Sequence, residues 1–434
     1  MHNMTVKTAA LAVALTSAAT GAFAGGFQLT EQSALALGRA YAGVGVDGTD
    51  ISGAFYNPAT MVLHTGTQFQ AGGVGVGLNL PYESDTDSAN DQNGRKKPAL
   101  VPHLFMTRQL TDQAWFGLSF TVPFGLATEY DRNWEQADKG YRAEIKLMDL
   151  SPSFAYKLSD KVSLGIGANI QYVKAKLGFN YQVADADIQV DSLAYGYTLG
   201  AMWSPLENLR FGISYHSKVT HEGEGTIKLS GPAAGGKTLS DDAAITMDAP
   251  SYWMISAAWD INDTYSLYAT ARKTDWSSFS SLTLESPLVA NVVKTGTLAQ
   301  ATKAGADMAT LGRLSQMSYP TSRPMHTQWR DTYLFTLGGD MRVNEFWTFR
   351  AGLGYERSPI SQPELRTGTI PDADRWWFSV GSSLHWTKNF QTDIGLAHLH
   401  GVHERSLYNS KGQKIGRFER LDAYLFGLQA QYRF

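Results

Sequence analysis

No cysteine occurs anywhere in the 434 residues, so disulfides and thiolate chemistry are excluded, although this alone assigns no compartment. Charge is also scarce. Asp, Glu, Lys and Arg make up 18% of the chain, and the net charge of −3 supplies no basic field for a nucleic-acid partner. Past the first two dozen residues, no apolar run reaches the roughly 18 residues that a membrane-spanning helix needs. Glycine (42 residues) and aromatics (20 Phe, 20 Tyr and 11 Trp) are abundant. That balance fits glycine-rich strands with aromatic girdles better than a helical enzyme.

The N-terminus points to export. Met1 to Lys7 is short and mildly basic, and the apolar run TAALAVALTSAATGAFA then ends in Ala22-Phe23-Ala24, the small-x-small pattern of a secretory cleavage site. Residues 1–24 are expected to be a signal peptide, and the mature chain to begin at Gly25. The run is too short and too rich in Ala and Thr for a membrane anchor.

AGVGVDG (42–48) contains G-x-G-x-x-G, the spacing that cradles a dinucleotide pyrophosphate. That reading requires a strand before it, a helix after it and a βαβ unit around it. Export makes a nucleotide ligand less plausible, and nothing nearby alternates like a strand. Gly43, Gly45 and Gly48 are better read as permitting compact turns.

From Phe69 onward, period-2 alternation recurs. In VSLGIGANIQY, Val162, Leu164, Ile166, Ala168, Ile170 and Tyr172 oppose Ser163, Gly165, Gly167, Asn169 and Gln171. In WTFRAGLGYE, Trp347, Phe349, Ala351, Leu353 and Tyr355 share one face. A soluble sandwich also alternates, so the connections must decide. Fourteen strands are expected, at roughly 68–80, 100–110, 113–124, 142–157, 161–178, 191–203, 207–220, 243–259, 263–275, 328–342, 346–357, 373–386, 389–401 and 420–434. Every second connection is a tight turn, such as Thr111-Asp112, Asn262-Asp263 or Asn344-Glu345. The others are long and polar, the longest spanning 276–327. That asymmetry predicts an all-β fold: a 14-stranded antiparallel transmembrane β-barrel of the outer membrane, covering 67–434. The last strand, AYLFGLQAQYRF, ends its apolar face on Phe434, like the signal by which barrel-assembly machinery recognises its clients. Closure removes the sheet edges that would leave backbone groups unpaired in lipid.

Residues 25–66 precede the first strand, do not alternate, and mix Gly and Ala with Gln28, Glu31, Arg39, Asp47, Asp50 and Asn57. They read either as a periplasmic tail or as an N-terminal hatch plugging the lumen.

GGFQLTEQSALALGRAYAG and AFYNPA, followed by FGLATEY, WTFRAGLGYERSP and IPDADRWWFSVG, resemble the long-chain fatty-acid transporter family of Gram-negative outer membranes, the FadL family. The likeness covers nearly the whole mature chain. It implies a hatched fourteen-strand barrel set in outer-membrane lipid and lipopolysaccharide. It also implies passive uptake of hydrophobic molecules, chiefly long-chain fatty acids and in some members aromatic hydrocarbons, through an internal pocket and a lateral gap in the wall.

The resemblance also assigns residues. In AWFGLSFTVPFGLATEY, Pro123 and Gly125 interrupt a good strand. Local signals allow the strand either to end near Val122 or to continue through a kink, and the family's kinked third strand favours a functional kink at Gly125. Asn57-Pro58-Ala59 matches the hatch motif that faces the opening. Phe27 matches the hatch aromatic that approaches ligand. Arg330 is expected to point into the lumen, opposite Tyr333, Phe335 and Leu337, and matches a carboxylate-holding base. A lumen arginine that merely pairs with acids is an equal alternative. Phe179 stands where the family has a second basic residue, which leaves a hydrocarbon carrier open. The loop after the fifth strand is expected to be short (179–190). The one after the ninth is expanded, with helical patterns in which Val289, Val292, Val293 and Leu298 line an external groove or pack on the rim.

No cofactor is expected. His398, His400 and His403 are not expected to form a metal site, because nothing forces His403 to converge with the other two. No G-x-S-x-G or comparable frame supports a hydrolase, and the hatch-like segment argues against a general porin.

Overall fold

The computed structural model describes residues 25–94, 98–181, 183–279, 281–403 and 405–434; the expected signal peptide lies outside them. Fourteen strand passes make up the wall. They are β1 (Thr67–Asn79), β2 (Ala99–Gln109), β3 (Ala114–Glu129), β4 (Arg142–Ser159), β5 (Val162–Tyr181), β6 (Ala184–Leu206), β7 (Leu209–His216 continued by Val219–Ser230) and β8 (Leu239–Ala249 continued by Tyr252–Asp260). The remainder are β9 (Tyr265–Thr274), β10 (Thr332–Arg342), β11 (Trp347–Glu356), β12 (Arg375–His385), β13 (Phe390–Gly401) and β14 (Asp422–Arg433). β1 pairs antiparallel with β14 from Gln68↔Arg433 to Asn79↔Asp422, which closes the barrel.

The alternation sets the two faces. On β6, Leu193, Tyr195, Tyr197 and Leu199 are exposed, while Ala194 and Thr198 point inward and are buried. An apolar outer surface of this kind, repeated around the barrel and edged by Trp203, Trp253, Trp347 and Trp376, is stable only in lipid. The chain is an outer-membrane barrel. Among the described residues no helix is long and apolar enough to cross a membrane.

Several expected boundaries change. β3 does not end at residue 124 but continues to Glu129, β7 runs on to Ser230 rather than ending at 220, and β10 begins at Thr332 rather than at 328. Residues 179–190 are not a loop: β5 extends to Tyr181 and β6 starts at Ala184, so these strands rise well beyond the lipid-facing band. The 275–331 connection contains helices α1 (Pro287–Lys303) and α2 (Met308–Gln316). Leu288 and Val289 are buried, and Val292 and Val293 pack against the same core, so this face packs onto the rim rather than lining an open groove.

The N-terminal segment lies inside the barrel. From Gly25 to His64, only Gly48, Thr49, Val62 and Leu63 are more than slightly exposed. Ala34–Leu37 forms one helical turn, N-capped by Ser33, whose Oγ accepts from the Ala36 N–H at 3.0 Å. This turn rests on a cross-strand row of glycines, Gly381, Gly395 and Gly427. A Cβ at Gly395 would strike the Ala34 carbonyl oxygen, which is backbone and cannot swing away. Gly395→Ala is therefore expected to destabilise the folded barrel by about 1–3 kcal/mol, read as a lower urea midpoint in lipid vesicles.

Candidate functional site

Three features converge above mid-height: a break in the wall, a cavity, and an aromatic cluster between them. The break lies between β2 and β3. They pair from Gln109↔Trp115 only as far as Leu104↔Phe120, so Ala99–His103 have no β3 partner. At the same level the β3–β4 register slips between Thr121 and Phe124, a bulge containing Val122 and Pro123. Proline lacks the N–H that a regular ladder needs, so an unpaired edge and a bulge are where it fits. The freed β3 edge pairs instead with the N-terminal segment. The Leu29 N–H donates to the Pro123 carbonyl at 2.8 Å, and the Gly125 N–H donates to the Phe27 carbonyl at 2.9 Å. The Gln32 side chain donates to the Val122 carbonyl (2.8 Å) and accepts from its N–H (3.1 Å). Phe27–Gln32 thus covers the inner mouth of the gap.

Beyond it lies a cavity of about 360 Å³, within the range of small-molecule sites. The outer ends of β3, β4 and β5 supply Leu126, Ile145, Leu177 and Phe179 to its wall, and the long loops supply Phe279 and Trp329. Lys139, Arg142 and Arg323 bring positive charge to it, and Asp138 and Glu364 bring negative charge. Arg142 pairs with Glu144 at 3.0 Å. Lys139 donates to the Tyr408 carbonyl at 2.9 Å, and burial holds its ammonium below the ordinary lysine pKa. The Arg323 guanidinium lies 4.6 Å from the Tyr181 ring centroid and also interacts with the Tyr181 hydroxyl.

Phe27, fully buried, separates cavity from gap. Its ring is 5.3 Å from Phe279 and 6.0 Å from Trp329 on the cavity side, 4.9 Å from Trp276, and 5.8 Å from Phe124 on the bulged strand. The same short stretch is held by charge. Arg272 donates to Thr30 Oγ1 and to Glu356, both at 2.9 Å, and Arg375 pairs with Glu356 and Asp372.

The other expected residues are placed as follows. Pro123 and Gly125 both lie in β3 at the covered edge. Phe179 lines the cavity, stacked on Tyr181. Arg330 precedes β10, is about one-third exposed, donates to the Ser358 carbonyl at 3.1 Å and lies 3.8 Å from Asp374; it does not line the cavity. Asn57-Pro58-Ala59 sits low in the barrel. Asn57 donates to the Ala201 carbonyl on β6 at 3.1 Å, and Pro58 and Ala59 press on Gly165 of β5, away from the β2–β3 gap. The glycines of 42–48 make turns against the wall, where the Gly43 N–H donates to Thr270 at 2.9 Å and the Gly45 N–H to Ser256 at 3.2 Å; among the described residues no strand precedes them, and the helix that follows, Gly53–Tyr56, is a single turn. Below the segment, a polar vestibule of about 1060 Å³ lined by Arg210, Asp260, Asp340 and Arg342 opens at the short-turn end.

A family model described as outer membrane protein transport protein (OMPP1/FadL/TodX) matches residues 15–434. The chain belongs to that family. The long-chain fatty acid transport protein of Escherichia coli K12 is 26% identical over 473 residues, covering 98% of each chain. Outer membrane protein P1 of Haemophilus influenzae is 27% identical over 490 residues, again covering 98% of each. Among solved structures, a Pseudomonas aeruginosa FadL homologue superposes with a TM-score of 0.79 at 23% identity, covering 94% of this chain and all of that one. The Pseudomonas putida toluene transporter TodX gives 0.67 at 16% identity, covering 94% and 99%. At those identities the structures speak for the shared fold, and the family match makes the chain an outer-membrane transport protein.

Proposed function

We propose that this protein takes up long-chain fatty acids passively across the outer membrane, holding them in the cavity and releasing them sideways through the β2–β3 gap. The observation that carries the reading is the cavity's two-sided chemistry. Its apolar wall rewards an alkyl chain by about 0.8 kcal/mol per buried CH₂, while the cations around it suit a carboxylate. Arg323 is the proposed carboxylate partner in place of Arg330, because it lines the cavity and Arg330 does not. Residues 25–66 act as the hatch in this reading. Asn57-Pro58-Ala59 anchors its lower part, Phe27 stops the passage from cavity to gap, and the Pro123–Gly125 kink frames the exit. A sideways exit suits an apolar cargo better than the polar vestibule below. The reading is of a carrier and not of an enzyme. Phe179, apolar and on the cavity wall, favours a second reading, a hydrocarbon channel.

Saturable binding of oleate and of toluene to the purified barrel separates the two. Oleate is expected to saturate, Arg323→Ala to weaken it roughly fivefold, as loss of one partly exposed charge-assisted hydrogen bond would, and Arg330→Ala to leave it nearly unchanged. Saturable toluene binding that ignores both substitutions, without saturable oleate binding, would establish the hydrocarbon channel.

A further inference from the structure

We propose that His398, His400 and Asp422 form a binding site for a divalent transition-metal ion at the long-loop end of the barrel, on the seam between β13 and β14. His398 and His400 are two apart on one strand and so share its outer face. Barrel closure supplies the third ligand: in the β13–β14 register His400 stands directly opposite Asp422, and His398 opposite Tyr424. His400 Nδ1 lies 3.0 Å from Asp422 Oδ1, and His398 Nε2 lies 3.7 Å from Asp422 Oδ2. One ligand atom from each of the three falls within 4.8 Å of the others. Ligand atoms around a tetrahedral zinc at its usual bond lengths are roughly 3.3 Å apart, so small side-chain rotations bring all three to one ion.

A second observation points the same way. His398 Nε2 is shielded from solvent, faces Asp422 Oδ2 at 3.7 Å and has no hydrogen-bond partner among the described residues, so its lone pair is not committed elsewhere. Its ring is held by stacking on Tyr424 at 4.8 Å and 2° between planes, and the Gly401 N–H donates to Asp422 Oδ1 at 3.3 Å, steadying the carboxylate. Two imidazoles and one carboxylate suit Zn²⁺, Ni²⁺ or Cu²⁺ and discriminate against Ca²⁺ and Mg²⁺, which prefer all-oxygen shells. Three protein ligands leave a coordination position for water or an outside ligand, and both histidine side chains are more than one-third exposed. His403 is not part of the site, since its Nδ1 turns to Asp374 at 3.3 Å. The cluster shares no residue with the cavity lining, so metal binding is separable from transport.

The untagged mature chain, stripped of metal in detergent micelles, would be titrated with Cu²⁺ and followed by electron paramagnetic resonance, with Zn²⁺ and Ca²⁺ as competitors. Saturation near one equivalent is expected, with hyperfine coupling from two nitrogens and displacement by Zn²⁺ but not by Ca²⁺. His398→Ala and His400→Ala should each weaken binding by at least the roughly 10-fold that losing even a supporting group costs, and should each remove one nitrogen coupling. Asp422→Asn should weaken binding while keeping both nitrogens, and His403→Ala should change neither readout. Heat-modifiable electrophoretic mobility would verify that each variant is folded. Absence of saturable binding in the wild type, or binding that survives the combined His398→Ala/His400→Ala change, would overturn the proposal.

Discussion

Removing residues 25–66 from the mature chain is expected to convert a barrel that passes almost no ions into an open, conducting pore. Small barrels of about eight strands fill their own lumen with side chains, whereas 16 to 18 strands leave an aqueous channel, and fourteen lies nearer the second case. Here the interior is occupied by the N-terminal segment, which packs on apolar wall residues such as Val101, Trp377 and Leu425 and is also hydrogen-bonded to polar ones. Gln429 Oε1 accepts from the Ala34 N–H at 2.7 Å, Thr270 Oγ1 from the Gly43 N–H at 2.9 Å, and Ser256 Oγ from the Gly45 N–H at 3.2 Å. Freed of the segment, these groups would be hydrated rather than collapsing on one another, so water and ions would follow. The wall itself should persist, because its ladders close from β1 to β14 without the segment. Single-channel recording in planar bilayers, with heat-modifiable mobility as the folding control, measures this. Unchanged conductance from a folded deletion variant would rule out the hatch.

The barrel was legible because its signal is redundant. Each pass alternates, and each tight turn at one end carries Asn, Asp or Ser, so an error at one strand does not alter the count. The boundary at 179–190 failed for a physical reason. Above the lipid the outward positions of β6 keep their phase but turn polar, with Asp185, Asp187 and Gln189 continuing the face that Leu193 and Tyr195 present lower down, while Ala186, Ile188 and Val190 are buried. A strand leaving the membrane therefore reads like a polar loop. The facing of Arg330 could not be read from period alone, because β10 begins at Thr332 and Gln328 has φ of +49°, so the two-residue alternation does not reach it.

The candidate site was legible only in part. Pro123 and Gly125 mark an interruption in any reading, and Phe27 is a lone aromatic in a stretch of small residues. Which edge the interruption exposes, and that Phe27–Gln32 covers it, depends on contacts almost 100 residues apart that no local pattern carries. The cavity cations were missed because Lys139 and Arg323 lie in connections, where a charge ordinarily means only solvent. The histidine cluster was read with His403, its neighbour in sequence, whereas the carboxylate beside His398 and His400 is that of Asp422, across the closing seam.

Arg39→Met should be among the most damaging single changes in the chain. Arg39 is completely buried, pairs with Asp47 of its own segment and with Asp340 of β10 at 3.2 Å, and lies 3.9 Å from the centroid of the Tyr268 ring. Its backbone fits a hollow left by Gly338 and Gly352, paired across β10 and β11, and a Cβ at Gly352 would overlap it. Methionine preserves much of the volume but strands Asp47, which is 2% exposed, and breaking a buried pair from one side costs about 3–5 kcal/mol. Asp340 keeps Arg350 at 3.2 Å, so the wall loses little and the cost falls on docking of the segment. The variant barrel should therefore remain folded yet show frequent conductance bursts, because the free energy of local opening has dropped while that of the wall has not. Adding Asp47→Asn removes the stranded charge and should quieten the bursts, since the interaction is non-additive by construction. A double variant as leaky as Arg39→Met alone would mean that the segment is held by its fit against the glycines rather than by its charge.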